Sequence, residues 1–309
     1  MGMRQKPARL KKGDTIGIIS PSGPYRDGQL EKAIPFLEKL GLNYKLGKHA
    51  SNRWGYLAGK DEERLADLHD MFTDPDIAGI ICSRGGYGAA RFTDKIDFEL
   101  IRNNPKVFWG YSDITFLHTS FGQLANLATF HGPMLTSDVA GDDFEDLSAK
   151  MFEQLFEPTT LTYDESISKL EVLSDGVATA EIVGGNLSLL ANGIGTKFEV
   201  ETSGKLLLIE DINEEPYRVD CMLNQLRQAN KLDVVAGVVI GDFADAKPKG
   251  DKPSLTLEEV LDDYFKDCPY PVMKGFKIGH CQPHFAIPLG VEAELNTRNK
   301  VLRLAPGVQ

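Results

Sequence analysis

The chain has 309 residues, of which 42% are hydrophobic and 26% charged, and its formal net charge is −11 at pH 7. This composition is that of a globular protein and excludes a disordered or collagen-like chain. The acidic balance makes nucleic acid and anionic membranes poor partners, and no apolar run reaches the roughly 18 residues that a membrane-spanning helix needs.

The N-terminus and the cysteines indicate the compartment. The first 20 residues carry positive charge but lack the apolar core and the small-residue cleavage site of a secretory signal peptide. The cysteines form neither a CxxC pair nor a dense disulfide pattern. We therefore expect a cytoplasmic protein in which the following thiols are reduced: Cys82, Cys221, Cys268 and Cys281.

The first half of the chain alternates strand and helix signals. Apolar, β-branched runs at 15–20, 77–82 and 107–110 predict buried strands, and helical spacing predicts helices at 27–40, from Asp61 and after Ser112. Pro35 lies inside the first helix, and we expect it to kink or shorten that helix. Strands that are apolar on both faces and alternate with helices indicate a parallel sheet covered on both sides.

These signals predict two domains. Residues 1–156 are expected to form a doubly wound α/β domain. The polar segment 157–174 lacks sustained periodicity and is interpreted as the crossing between domains. Residues 175–309 are expected to form a smaller β-rich domain, with strands at 206–210 and 234–243 and one clear helix at 216–230.

A candidate nucleophile follows the strand at 107–110. Gly110, Tyr111, Ser112 and Asp113 precede a helical pattern, and a serine on such a tight turn exposes its hydroxyl while the next amide can point at an oxyanion. The match to GxSxG is incomplete, because Ile114 occupies the second glycine position. The alternative is that Ser112 simply caps a helix, with Asp113 in its first turn.

A glycine-rich loop follows the strand at 77–82. Gly85, Gly86 and Gly88 let backbone amides approach a ligand closely, so this loop could supply an oxyanion donor or hold a carboxylate. A dinucleotide fingerprint would require glycine where Arg91 stands. A tight turn without a ligand is the alternative.

A serine nucleophile needs a base, and the base needs a group that orients it. His280 stands in a loop punctuated by glycine and proline, which makes it the candidate base. Its spacing to His284 resembles a zinc pair, but Pro283 prevents the helix that would align the two rings, so no metal is expected. Glu210 ends the apolar run 206–209 and is the candidate acid, unless it merely opens a solvated loop.

Four other polar residues are weaker candidates. His131 could line the site or be a satisfied core histidine, and Asn186 lies in a tight turn before a helical pattern. His69 and His118 fall within helical segments and are interpreted as surface or packing residues.

Taken together, the ordered motifs GYSDIT, SRGGYG, HGPM, GGNLSLL, LLLIEDINEEPYRVD and GHCQPHFAIPLG resemble the LD-carboxypeptidase family of serine peptidases, which includes the microcin C self-immunity peptidases. The resemblance extends over residues 13–290. It implies a flavodoxin-like N-terminal domain that carries Ser112 as nucleophile, and a β-rich C-terminal domain that carries Glu210 as orienting acid and His280 as base. It also implies a cytoplasmic homodimer without a metal, and we expect no cofactor.

The resemblance further implies that the protein cleaves the amide between an L-configured centre and the terminal D-alanine of murein tetrapeptides, in cell-wall recycling. The amides of Asp113, Gly85 and Gly86 would hold the oxyanion. Arg84, beside the glycine loop, would bind the terminal carboxylate of the substrate.

Two alternatives remain at this point. A peptidase of the same family could remove an aminoacyl group from a microcin-like nucleotide conjugate, which requires an aromatic platform for the base. Only Trp54 is free to serve, because Trp109 lies in a predicted buried strand. The other alternative is a noncatalytic α/β module that binds a phosphorylated ligand at the loop containing Gly85 and Gly86.

Overall fold

A computed structural model describes residues 4–250 and 253–309 and arranges them around two β-sheets. The strands are β1 (Thr15–Ile19), β2 (Asn43–Leu46), β3 (Ile77–Cys82), β4 (Val107–Gly110), β5 (Thr129–His131), β6 (Leu161–Tyr163), β7 (Glu171–Ser174), β8 (Val177–Asn186), β9 (Leu206–Ile212), β10 (Gly237–Ala244), β11 (Val272–Lys274), β12 (Ile287–Leu289), β13 (Glu292–Asn296) and β14 (Val301–Leu304). The α-helices are α1 (Gln29–Lys39), α2 (Asp61–Thr73), α3 (Phe98–Asn103), α4 (Thr115–Ala125), α5 (Asp146–Lys150), α6 (Leu187–Gly193), α7 (Pro216–Gln228) and α8 (Leu257–Phe265).

The first sheet has the order β2-β1-β3-β4-β5-β12, in which β1 to β5 are parallel. This is the strand order of flavodoxin-like folds, whose ligands bind beyond the carboxyl ends of β1 and β3. Helix α1 packs on one face of the sheet and α2, α3 and α4 pack on the other. The expected doubly wound domain is therefore confirmed, and it positions the loops after β1, β3 and β4 at one edge.

Pro35 does not shorten the first helix, one of the two effects expected of it, because α1 continues through it to Lys39. Proline removes the hydrogen bond to the carbonyl of Glu31, one turn earlier. Glu31 and Pro35 are both exposed, so water can reach and solvate that carbonyl.

The second sheet has the order β6-β14-β13-β8-β9-β10-β11-β7. Strands β8 to β11 are parallel and the outer strands are antiparallel. The segment 157–174, expected to lack regular structure between the domains, contains β6 and β7, the two edge strands. Edge strands face water on several sides, so they lack the apolar run that marks a buried strand. The single helix expected in this half is joined by α6 and α8, which pack with α7 on one face of the sheet.

The C-terminal half of the chain contributes one strand to the first sheet. Strand β12 belongs to the C-terminal half of the sequence, yet it pairs antiparallel with β5 at the edge of the first sheet, with Ile287 opposite His131. This pairing brings the loop that precedes β12 to the carboxyl end of β5. Among the helices within the described ranges, none combines the length and the apolar character that a membrane crossing requires.

Candidate active site

Ser112 lies on a strained turn directly after β4. Tyr111 is extended, and Ser112 has a φ of 64°, in the left-handed region that residues with a Cβ rarely adopt. Such strain is typical of functional sites. The turn Ser112–Ile114 is a 3₁₀ helix that leads into α4, and neither of these elements has a side-chain cap. The structure therefore gives no support to helix capping as the role of Ser112.

The loops after β1 and β3 meet beside this turn. The amide of Gly23 donates to the carbonyl of Gly85 at 3.2 Å. A Cβ built on Gly85 would lie 2.9 Å from Cβ and 3.0 Å from Oγ of Ser112. Only glycine permits this approach, so the glycine loop borders the Ser112 hydroxyl at the point where flavodoxin-like folds bind ligands.

The side chain of Asp113 ties these loops together, a role that sequence reasoning missed. Its Oδ2 accepts from the Ser22 hydroxyl at 2.6 Å and from the amide of Ala89 at 2.8 Å. The side chain is buried, and burial raises the pKa of Asp113 above its ordinary value. One carboxylate thus joins the loops after β1 and β3 to the turn that carries Ser112.

Arg84 also bridges the loops after β3 and β1. Its Nη1 donates to the carbonyl of Pro24 at 3.2 Å, and the residue is half-buried. Its Nε is buried and has no partner among the described residues. One hydrogen bond therefore ties the guanidinium to the loop after β1.

Glu210 and His280, 70 residues apart in sequence, form a hydrogen-bonded pair. Oε2 of Glu210 and Nδ1 of His280 are 2.8 Å apart, and the side chains are 0% and 11% exposed. Burial opposes ionisation of Glu210, but His280 and His131 together outweigh it, and the pKa of the carboxyl falls below its usual range. Burial likewise opposes the charge on His280, but Glu210 holds the imidazole pKa above 6.5.

His280 lies beside the Ser112 turn. Its ring centroid is 4.8 Å from that of Tyr111, the residue that precedes Ser112. Within the described residues no hydrogen bond joins Ser112 to His280, and catalytic hydrogen bonds are often long until substrate is bound. The structure therefore brings Glu210 and His280 together and places the His280 ring against Tyr111, the residue before Ser112.

Two buried histidines surround this pair. Nε2 of His131, at the end of β5, is 3.6 Å from Oε1 of Glu210. The ring of His284 packs 5.4 Å from that of His131 and 4.7 Å from that of Tyr111. Burial keeps the pKa of His284 well below its ordinary value. Sequence spacing could not distinguish these rings from core residues.

The other sequence candidates are structural. Asn186 caps α6 by accepting from the amide of Leu189, and its Nδ2 donates to Asp211 at 2.9 Å. His118 is buried with its Nε2 2.8 Å from the carbonyl of Gly110, and burial lowers its pKa to about 3. His69 accepts a hydrogen bond from the amide of Asp97.

The described residues contain no group of three or more histidine, cysteine, aspartate or glutamate side chains arranged to hold a metal ion. The four cysteines are free thiols.

Both halves of the chain match models of one family. Residues 16–132 match the LD-carboxypeptidase N-terminal domain, and residues 179–295 match the LD-carboxypeptidase C-terminal domain. A Bacillus subtilis protein named "Probable murein peptide carboxypeptidase" is 51% identical over 306 residues, which cover 99% of this chain and 96% of that protein. The murein tetrapeptide carboxypeptidase of Pseudomonas aeruginosa is 30% identical over 91% of this chain and 92% of its own length.

Solved structures agree with these matches. A muramoyltetrapeptide carboxypeptidase from Oxalobacter formigenes superimposes with a TM-score of 0.82 and 28% identity, covering 94% of this chain and 97% of that chain. The microcin C7 self-immunity protein MccF, solved in complex with glutamyl sulfamoyl guanosine, superimposes with a TM-score of 0.88 and 25% identity. The match covers 97% of this chain and 98% of that chain. The protein therefore belongs to the LD-carboxypeptidase family.

Proposed function

We propose that this protein is a serine carboxypeptidase that hydrolyses the amide between an L-configured diamino acid centre and the terminal D-alanine of murein tetrapeptides. The observation that carries this proposal is the buried hydrogen bond between Glu210 and His280, located beside the strained turn of Ser112. The 51% identity to a protein named for murein peptides supports the choice of substrate.

In this mechanism Ser112 is the nucleophile. Its Oγ attacks the scissile carbonyl while Nε2 of His280 takes the hydroxyl proton. Glu210 accepts from Nδ1 of His280, which fixes the tautomer whose Nε2 lone pair faces the serine, and it stabilises the imidazolium that forms. His280 then gives the proton to the amine of the departing D-alanine, and water hydrolyses the acyl-enzyme by the same route.

The oxyanion of the tetrahedral intermediate is held by the amide of Asp113 and by those of Gly85 and Gly86. The close approach of Gly85 to the Ser112 hydroxyl supports this assignment. Arg84, fixed on the same loop, binds the terminal carboxylate of the substrate, since a guanidinium matches a carboxylate in charge and shape.

The proposal is tested by incubating the purified protein with defined tetrapeptides, without added metal or cofactor, and analysing the products by liquid chromatography and mass spectrometry. We expect release of D-alanine. Ser112→Ala should abolish it while the protein stays folded, because loss of a triad member costs on the order of 10⁴ to 10⁶ in kcat. Retained activity in that variant would remove Ser112 from the mechanism.

A second candidate substrate is an aminoacyl nucleotide conjugate, which the match to MccF favours. Trp109 is fully buried, whereas Trp54 is 52% exposed and therefore accessible for stacking on a base. Comparing turnover of a tetrapeptide with that of an aminoacyl sulfamoyl adenosine on one preparation separates the two substrates. Faster turnover of the nucleotide would reverse our assignment.

The homodimer and the cytoplasmic location stay predictions. Light scattering coupled to size-exclusion chromatography measures the first, and fractionation of the source cells measures the second.

A further inference from the structure

The hydrogen bond to His280 uses only one of the two carboxylate oxygens of Glu210. Oε2 bonds to Nδ1 of His280 at 2.8 Å, whereas Oε1 is buried and has no hydrogen-bond partner within the described residues. Nε2 of His131 is 3.6 Å from Oε1, and neither side chain is exposed. A buried carboxylate oxygen without a donor destabilises the folded protein, so a neighbour that can donate a hydrogen bond to Oε1 would be stabilising.

The ring of His131 has nitrogens available to donate a hydrogen bond to Oε1 of Glu210. Both of its nitrogens are buried and unpaired in the part of the chain that the structure describes. Its backbone is fixed on both sides, opposite Gly110 on β4 and Ile287 on β12. A Cβ on Gly185, whose φ is 136°, would lie 3.3 Å from Cδ2 of His131, so a larger residue there would crowd the ring. Strand pairing therefore fixes the backbone that carries the ring, and the glycine leaves room for it beside Glu210.

Electrostatics decides which nitrogen carries the proton. A lone pair on Nε2 would face the anionic oxygen of Glu210 and repel it, whereas an N–H there is attracted. The distance of 3.6 Å exceeds that of a good N–H···O bond by roughly half an ångström, a gap that a small rotation of either side chain closes.

We propose that His131 is a positioning residue that carries its proton on Nε2 and donates a hydrogen bond from Nε2 to Oε1 of Glu210. This inference rests on the proposed function, in which Glu210 orients His280. With a donor on each oxygen, the carboxylate cannot turn away from Nδ1 of His280, and its ionised form is stabilised. His131 acts through Glu210, so its effect should fall on kcat rather than on KM.

The test compares His131→Phe with His131→Gln. Phenylalanine keeps the shape of the ring and removes the donor, and we expect kcat to fall by about 10- to 100-fold, the effect of one hydrogen bond to a charged group. KM should be unchanged. Glutamine can place an amide nitrogen near the position of Nε2, so His131→Gln should recover most of the lost kcat.

A matched control separates this role from a merely structural one. His131→Phe leaves Oε1 of Glu210 buried without a donor, so this variant should melt below the wild type, and His131→Gln should recover stability together with kcat. His118→Phe is the matched control. His118 is also buried, but its Nε2 contacts the carbonyl of Gly110, so this variant should lose stability and not show the selective loss of kcat.

The tautomer provides a readout that does not depend on activity. Long-range ¹H–¹⁵N correlation spectra of the wild type should show His131 protonated on Nε2. A proton on Nδ1 of His131 would overturn the proposal. Full kcat in His131→Phe would also overturn it, and equal losses of kcat in His131→Gln and His131→Phe would refute the donor role. If the wild type instead releases no D-alanine, the proposed function fails, while the tautomer still decides whether His131 donates to Glu210.

Discussion

Replacing Glu210 by glutamine should lower the pKa of His280. In the wild type burial lowers this pKa, but Glu210, helped by Asp138 and Asp211, raises it by more than burial lowers it, so the pKa lies above 6.5. Two unit charges about 4 Å apart interact by about 4 kcal/mol at an effective dielectric constant near 20, which corresponds to about three pKa units. Asp138 and Asp211 raise the pKa in the wild type and in the variant alike, so they cancel from the difference. We therefore expect a fall of up to about three units, the full loss of the Glu210 charge.

The same change should alter the pH dependence of the reaction. His280 acts as a base only when neutral, so wild-type kcat/KM should rise with pH through a pKa above 6.5. In Glu210→Gln this limb should move to lower pH. The maximal rate should also fall by about 10⁴, because the amide no longer stabilises the imidazolium or fixes its tautomer.

Two measurements check this prediction. Nuclear magnetic resonance titration of ¹³C-labelled histidine, with the His280 signal assigned by its loss in His280→Gln, gives the pKa without requiring activity. The D-alanine release assay gives the pH profile. Glu181→Gln is the control, since Glu181 pairs with Arg4 at 2.7 Å and does not contact the pair. An unchanged or raised His280 pKa in Glu210→Gln would refute the electrostatic argument.

Three further substitutions test the surrounding geometry. Ser112→Gly should be inactive yet melt about 2–4 °C above Ser112→Ala. A φ of 64° destabilises a residue with a Cβ, and after subtracting the greater chain entropy of glycine the difference is about 1 kcal/mol. Equal melting temperatures of the two variants by calorimetry would disprove the strain. Asp113→Ala should reduce the free energy of unfolding by about 1–3 kcal/mol in urea titrations, because the Ser22 hydroxyl and the Ala89 amide lose their acceptor; an unchanged midpoint and slope would contradict this role. Arg84→Gln should lower kcat/KM for a tetrapeptide by about 10- to 100-fold but leave a peptide ending in D-alaninamide nearly unaffected, and equal losses on both substrates would argue against carboxylate recognition.

Local sequence patterns predicted the strands correctly where a segment is buried on both faces. The apolar runs that predicted β3 and β4 coincide with those strands, and Pro216 begins α7 as expected. Local patterns failed at 157–174, where β6 and β7 are polar edge strands, and they did not reveal β12, a three-residue strand. The stability of these strands comes from pairing with distant strands, which leaves little trace in the local sequence.

The candidate site divides in the same way. A serine that follows a buried strand and an acid that ends one are visible locally, so Ser112 and Glu210 could be selected as candidates from consecutive residues alone. The contacts of the Asp113 carboxylate, the position of His131 against Glu210 and the burial of His284 could not be predicted, because each depends on segments far away in the chain.

The sequence by itself determined the parallel sheet, the turn that holds Ser112 and the family, since burial periodicity and ordered motifs are properties of consecutive residues. Only the tertiary structure decided that Oε2 of Glu210 lies 2.8 Å from Nδ1 of His280 and that His131 faces the other oxygen. The pairing of β12 with β5 and of β9 with β8 and β10 brings these side chains together. The physical reason is that the cost of burying a carboxylate is offset by neighbours distant in sequence, and packing alone selects them.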